Sequence, residues 1–444
     1  ELSLGLVGSE MCIRDRSNCF VLREGVSHVV ISNLRMVNCG VWTVSLDGGN
    51  EDVTLSRLEI SGGEAGIHMT VGESGSPPAM GPVRGVLIED CVVRDAVFSG
   101  IDCTPGPCEG VTIRGCSIHG NGAASGFGGD GVAIESGDRI LVEDCEVYGN
   151  GGDGVDVGSR NPVLYPGGSN VTVRRCVVRD NGLQGVKLWS GGVVENCLIA
   201  SNGLDGLVFV YDGEYRVVNT AVVNNSPEYR AYSVCAGYPE PEPLGGQGDL
   251  RVHVYNTIVA FNGAPDAPTG IYLGEGVSFV GDYNLWYSRP DSEIYWEGRG
   301  DYTREDISGG RWTEETGNGA HSLTADPGFA DLSAGDYHLT EGSPAVDSGS
   351  AEHAPPVDLE GRGRPCGSGV DIGPYELCGP GEGAPPAGGP PAEQGEAPEE
   401  ARAWPEQPAG GLIPPGVSLL AGAAVGAAVT LAAWILLRRA SAGT

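Results

Sequence analysis

Lysine is nearly missing from this chain of 444 residues: Lys187 is the only one, and every other basic side chain apart from histidine is an arginine. Lysine and arginine together number 26 against 59 acidic residues, a formal net charge of −33. Such a surface repels a phosphate backbone, and no basic patch interrupts it, so nucleic acid is excluded as a general partner. Phe, Trp and Met are scarce at 7, 7 and 4, whereas Gly reaches 74 and Pro 30. Glycine at more than twice its usual share of ~7% leaves no room for long packed helices. There is no G-x-S-x-G, P-loop or H-E-x-x-H pattern, which removes the hydrolase, nucleotide and metalloprotease chemistries those patterns carry. What remains is a 40% hydrophobic chain whose apolar residues are periodically spaced and therefore fold.

The two ends differ from the middle. The run Leu6-Val-Gly-Ser-Glu-Met-Cys-Ile-Arg-Asp-Arg16 resembles translated sequencing-adapter read-through, so residues 1–16 are set aside as non-native sequence. From 378 to 416 the chain is Pro, Ala, Gly and Glu without periodicity, which reads as a disordered stalk. Val417–Leu437 carries only Ser418 and Thr430 as polar residues, enough to cross a ~30 Å hydrocarbon core as one transmembrane helix. Arg438 and Arg439 follow, which puts residues 438–444 in the cytoplasm. The expectation is a single-pass protein of the cell membrane with its folded domain extracellular. Oligomeric state is not legible.

From residue 17 a unit repeats, seen most clearly in Val171-Thr-Val-Arg-Arg-Cys176-Val-Val178-Arg-Asp-Asn181-Gly-Leu-Gln-Gly185-Val-Lys187-Leu188. Three short alternating strands are separated by tight turns. Cys91, Cys116, Cys145, Cys176 and Cys197 form one column, continued by Leu34, Leu58, Ala221 and Thr257; Asn121, Asn150, Asn181, Asn202 and Asn262 form another. Alternation points Val171, Val173, Cys176 and Val178 inward and Thr172 and Val177 outward. One such coil cannot bury its own inner face, so coils must stack ~4.8 Å apart, sharing a core and parallel ladders. The stacked cysteines then act as small hydrophobes, and the asparagines as an amide ladder. Cys103 with Cys108, and Cys366 with Cys378, are disulfide candidates for an exported protein.

These columns resemble the right-handed parallel β-helix family over residues 17–290. The resemblance implies an all-β solenoid. Asp326-Pro-Gly-Phe329, Gly342-Ser-Pro-Ala-Val-Asp347 and Asp371-Ile-Gly-Pro-Tyr-Glu376, within 291–377, look like the C-terminal closing segment of bacterial secreted members, a β-rich cap for the open sheet ends.

The third strand of each coil holds the candidate chemistry. The residue between two inward ones faces out, so His68, Asp102, Ala133, Asp156, Lys187 and Val208 should line one outer sheet. Asp130, Asp153 and Asp205 stand at the turn entering that strand, and Trp189 lies two residues beyond Lys187. Trp189, Asp102 and His68 are expected to contact sugar, and Asp130, Asp153, Asp156 and Asp205 to supply oxygen ligands. The set is similar to the polysaccharide lyases of this fold, and that resemblance implies Ca²⁺ as cofactor and C5 proton abstraction from a uronate polymer, with Lys187 as base beside Asp156. In the Ca²⁺-dependent lyases the lysine precedes the aspartate motif; here it follows. Three functions are therefore carried forward: a non-catalytic polysaccharide-binding surface, a Ca²⁺-dependent lyase or epimerase, and a glycoside hydrolase using paired carboxylates.

Overall fold

The computed structural model describes residues 18–69, 81–104, 106–123, 128–158, 169–225, 232–237, 249–262, 270–288 and 292–379, and the backbone of strands Leu2–Ser3 and Glu10–Met11. Its strands sort into three long sheets of 12, 11 and 12 strands, in each of which neighbours come from successive coils. Within the coils every pairing is parallel, as in Val155–Val157 beside Val186–Leu188. The molecule is therefore a parallel β-helix. Leu2–Ser3 and Glu10–Met11 pair with Val29–Val30 and Arg35–Met36, extending two sheets into the segment set aside above.

Alternation dictates the core. Val171, Val173, Cys176 and Val178 are at most 1% exposed, while Thr172 and Val177 are half-buried on the outside. Between the first and second sheets the chain turns on one residue with φ of 46° to 61°: Asn33, Arg57, Asp90, Gly115, Asp144, Arg175, Asn196, Asn219, Asn256 and Tyr283. That left-handed corner suits Asn, Asp and Gly, which fill seven of the ten places. After the second sheet the amide ladder runs as expected and includes one rung the periodicity did not mark, Asn225. Asn121 Nδ2 donates to Asn150 Oδ1 at 2.9 Å, and the chain continues through Asn181, Asn202, Asn225 and Asn262 at 2.9 to 3.1 Å. Each rung satisfies a buried amide that no water reaches.

The cysteine column needs one correction. Ala221 pairs with Leu198 on the outside of the second sheet, and Thr220 follows Cys197 in the column. The register slips by one because Thr220 does the same work as a thiol: its Oγ1 accepts from Cys197 N, as Cys145 Sγ accepts from Cys116 N. Cys103–Cys108 and Cys366–Cys378 are disulfides, and Cys19–Cys39 is a third.

Coil stacking passes 290. Ser292–Trp296 completes the third sheet and turns back as an antiparallel hairpin with Gly300–Thr303. Two short helices, Arg304–Ser308 and Arg311–Thr316, then close the end, placing Trp312 against Phe279, Trp296 and Tyr302. The rest of the closing segment does something else: it runs back along the outside of the second sheet. Tyr337, Leu339, Ala345, Ile372 and Tyr375 cover Leu198, Ala200, Ala221, Val223, Ile258, Ala260 and Leu285. The outward residues in register with Leu198 on earlier coils are Arg35, Glu59, Val92, Ser117, Glu146 and Val177. From Leu198 the position is apolar on every coil, through Ala221, Ile258 and Leu285, where earlier coils mix charged, polar and apolar residues, and this marks where the strap begins.

Apart from Cys378 and Gly379, the stalk, the span 417–437 and the tail 438–444 lie outside the described residues. Among the described residues no helix is long and apolar enough to cross a membrane.

Candidate functional site

The third sheet aligns the outer stripe in the expected register: His68, Asp102, Ala133, Asp156, Lys187 and Val208 are successive partners. The glycine that precedes Ile, Val or Leu at the opening of each of these strands has a steric cause. A Cβ on Gly154 would sit 2.4 Å from Val178 Cγ1 and 2.6 Å from the Gly185 carbonyl oxygen, so the stack closes only over glycine.

The entry turn builds a second ladder. Ser99 Oγ accepts from Asp130 N at 3.2 Å, Asp130 Oδ1 from Asp153 N at 2.7 Å, and Asp153 Oδ1 from Gln184 N at 2.9 Å. Asp205 Oδ1 likewise accepts from Tyr232 N. These side chains therefore cap the next coil, and Asp153 and Asp205 are only 4% and 3% exposed.

Along the stripe, Asp102 Oδ1 lies 2.6 Å from His68 Nδ1, and the imidazole stacks on Trp42 at 4.1 Å. Asp156 accepts from Trp189 Nε1 at 2.6 Å and from Lys187 Nζ at 3.3 Å, and Nζ is 3.5 Å from Asp153 Oδ2. Two expectations fail here. His68 is 6% exposed and Trp189 4%, so neither offers an open face to a sugar. The outer face is buried where rings from neighbouring coils lie over it: Trp42 covers His68, and Trp189 packs with Val208, Val210, Cys235 and Tyr272. Trp42 was not anticipated.

Glu135 is a further residue of this face. It follows Ala133 by two positions and so shares its outward side, and it is half-buried. Its N–H donates to the Cys103 carbonyl at 3.2 Å, two positions beyond the register that sets Ala133 between Asp102 and Asp156. Burial, and then the charges of Asp156 and Asp102, raise its carboxyl to about 7.

Residues 39–226 match a family model described as the right handed beta helix region. No curated protein matches the chain. Solved structures resemble the β-helix at low identity. The A-module of the Azotobacter vinelandii mannuronan C-5 epimerase AlgE6 is 16% identical with a TM-score of 0.44, covering 72% of this chain and 88% of that one. Pectate lyase Pel9A is 12% identical with a TM-score of 0.44, covering 76% and 88%. The Dettilon tailspike protein is 14% identical with a TM-score of 0.37, covering 61% of each. None of them lends a residue role to this chain.

The aspartates of the β-helix do not fit Ca²⁺. Asp130, Asp153 and Asp205 each give an oxygen to a backbone N–H, and Gln184 separates Asp153 from Asp205 in the ladder. Two coil steps put those two carboxylates about 10 Å apart, too far to share an ion whose ligands lie at ~2.3–2.6 Å. Among the described residues no group of three or more His, Cys, Asp or Glu side chains is placed to hold a metal. Lys187 fails as a resting base for a related reason. Burial lowers its pKa, but the charges of Asp156, Asp153 and Asp130 outweigh burial and raise it, so the amine stays protonated.

The same burial makes the site pH-dependent. Burial raises Asp153 to about 6 and Asp205 to about 7, alongside Glu135. A carboxyl whose folded pKa exceeds its unfolded value of ~4 binds protons more tightly when folded. Its penalty is absent below pH ~4 and complete above about 7, so stability should rise as pH falls from 8 to 5. Thermal melts across that range test this; a melting temperature that is flat or falls on acidification would contradict it.

Proposed function

We propose that the outer face of the third sheet receives a polysaccharide without carboxylate groups, and that Glu135 donates a proton to its glycosidic oxygen. One observation carries this reading: a half-buried carboxyl raised to about 7 lies two residues beyond Ala133, the residue that stands between Asp102 and Asp156, and feels the charges of both. A proton donor that still holds its proton near neutrality is what glycosidic cleavage requires. The row is acidic, so a polyuronate would be repelled, which disfavours the lyase. One coil step combined with two residues along the chain puts the backbone of Glu135 about 8 Å from that of Asp102 or Asp156, and an inverting mechanism needs room for a water between acid and base. Water activated by one of those carboxylates would attack the anomeric carbon as Glu135 protonates the departing oxygen, and the base takes the water's proton.

A non-catalytic binding surface is the second reading, favoured by one fact: Asp102 and Asp156 are already hydrogen-bonded to His68 and Trp189. Three disulfides support a location outside the cytoplasm, and we place the β-helix there, tethered by the 417–437 span.

The test incubates the chain with neutral and uronate polysaccharides, counting reducing ends and following the ultraviolet absorbance of unsaturated sugars. Release of inverted reducing sugar from a neutral polymer is the expected result. Unsaturated product from a polyuronate would restore the lyase. Retention on a neutral polymer without cleavage would leave the binding surface.

A further inference from the structure

The two carboxylates whose charges reach Glu135 are held differently. Asp156 is engaged on both oxygens: Oδ1 accepts from Trp189 Nε1 at 2.6 Å and Oδ2 from Lys187 Nζ at 3.3 Å. Gly158 seats the indole there. A Cβ on Gly158, whose φ is +124°, would meet the Trp189 Cβ and stand 2.7 Å from its ring Cδ1, so the Trp189 side chain fills the space that another residue would take at 158. Asp102 is engaged on one oxygen only. Its Oδ1 lies 2.6 Å from His68 Nδ1, and because an ionised carboxylate can only accept, that nitrogen carries the proton. The imidazole is fixed in turn, 8% exposed and stacked on Trp42 at 4.1 Å with 17° between the planes. Among the described residues nothing bonds Asp102 Oδ2, and the side chain keeps 14% of its surface open to solvent. Asp102 therefore offers one oriented, unengaged oxygen to the outer face, and Asp156 offers none.

We infer that Asp102 is the base that activates the attacking water, that His68 is the positioning residue that aims it, and that Asp156 is a fixed charge that keeps the proton on Glu135. The inference rests on the glycosidase reading and completes its proton balance. Asp102 Oδ2 takes a proton from water as the water oxygen bonds to the anomeric carbon; the glycosidic C–O bond breaks and Glu135 gives its proton to the departing oxygen. Solvent then returns a proton to Glu135 and takes one from Asp102.

Cleavage of a neutral polysaccharide by the full chain, below pH 6 and with or without sodium azide, tests the assignment. If the unmodified chain releases no reducing ends, the glycosidase reading falls and the assignment with it. Given turnover, Asp102→Ala should lose it in buffer and regain it in azide as a glycosyl azide, because azide attacks without giving up a proton and needs no base. Asp156→Asn should keep turnover and gain nothing from azide. His68→Leu should lower kcat up to about 10²-fold at nearly unchanged KM, and His68→Asn, whose amide sets a donor where Nδ1 stands, should recover most of that. Turnover lost in Asp156→Asn and rescued there by azide would make Asp156 the base, overturning the assignment while the glycosidase reading stands. Equal loss in His68→Leu and His68→Asn would overturn the positioning role. Should Asp102→Ala or His68→Leu fail to fold, Asp102→Asn and His68→Asn decide: retained turnover in the first, or lost turnover in the second, overturns the inference.

Discussion

Replacing Arg364 with methionine should cost about 3–5 kcal/mol and release the closing segment from the side of the β-helix. Arg364 Nη1 lies 2.6 Å from Glu376 Oε1, with the two side chains 1% and 0% exposed. Its Nη2 donates to Asn196 Oδ1 at 3.0 Å and to the carbonyls of Gly373 and Pro374. Glu376 in turn accepts from Asp371 N and Cys366 N, each at 3.0 Å. Methionine fills similar volume but leaves the Glu376 carboxylate without its counter-charge. Burial already raises that carboxyl to about 7 against the lowering effect of Arg364, so the loss should be greatest above pH 7 and smaller where Glu376 can protonate. The damage should also be local. The strap is fixed by the left-handed corner asparagines: Asn196 to Val357 O, Asn219 to Asp371 O and Gly373 O, and Asn256 to Ser350 O. Hydrogen exchange should therefore show protection lost across 345–377 while coils before Tyr148 keep theirs, with a hydrophobic dye binding the uncovered sheet. Uniform loss along the chain, or none, would show that the pair does not hold the strap. Arg364→Met with Glu376→Gln should recover part of the stability, because no bare charge then remains buried.

Those corner residues show where the sequence is legible and where it is not. The coil register follows from alternation and the asparagine column because both are contacts between a coil and its immediate neighbour, repeated in nearly the same letters. Asn225 escapes because Ser226 follows it, whereas each of the other rungs is followed by glycine. Thr220 escapes because a hydroxyl replaces a thiol. The strap's course was written at the corners, where Asn196, Asn219 and Asn256 stand in the column that Arg57, Asp90 and Arg175 occupy earlier. That signal acquires meaning only once a second layer of chain needs amide partners.

At the candidate site the outward stripe was legible to the residue, because it depends on period two alone. The burial of His68 and Trp189 was not, since it comes from a ring on another coil and from a hydrogen bond to another coil's aspartate. Nor did the row of aspartates reveal that three of its members cap backbone amides; Ser99 and Gln184 at equivalent places were the clue that the column selects acceptors rather than charge. Glu135 is legible in the third-strand frame, two residues past Ala133, but its raised carboxyl needed the three-dimensional neighbourhood, because burial and the charges of Asp156 and Asp102 on the coils either side cause it.

Substituting Glu135 with glutamine should lower the rate of neutral-polysaccharide cleavage about 10²–10⁴-fold while leaving binding nearly intact. The amide is nearly isosteric but has no proton to give to a leaving alkoxide. In the unmodified chain the donor must be protonated, so kcat/KM should fall as pH rises through about 7, the value set first by burial and then by the charges of Asp156 and Asp102. Of Asp102→Asn and Asp156→Asn, the one that removes the base should abolish cleavage, and the other should move that limb to lower pH, since it removes a charge that holds the proton in place. A substitution that harmed only the fold would scale the whole profile and shift no limb. Stability gives an independent check with the opposite sign. A carboxyl with a raised folded pKa is a liability above that pKa, so Glu135→Gln should melt no lower than the unmodified chain at pH 8, and slightly higher. An unchanged rate would remove Glu135 from the chemistry. A variant that lost both activity and stability would reassign it to the packing of the coil. Loss of rate with retained affinity and undiminished stability places Glu135 in the chemistry, and the fall of kcat/KM above about pH 7 assigns it as the acid rather than the base.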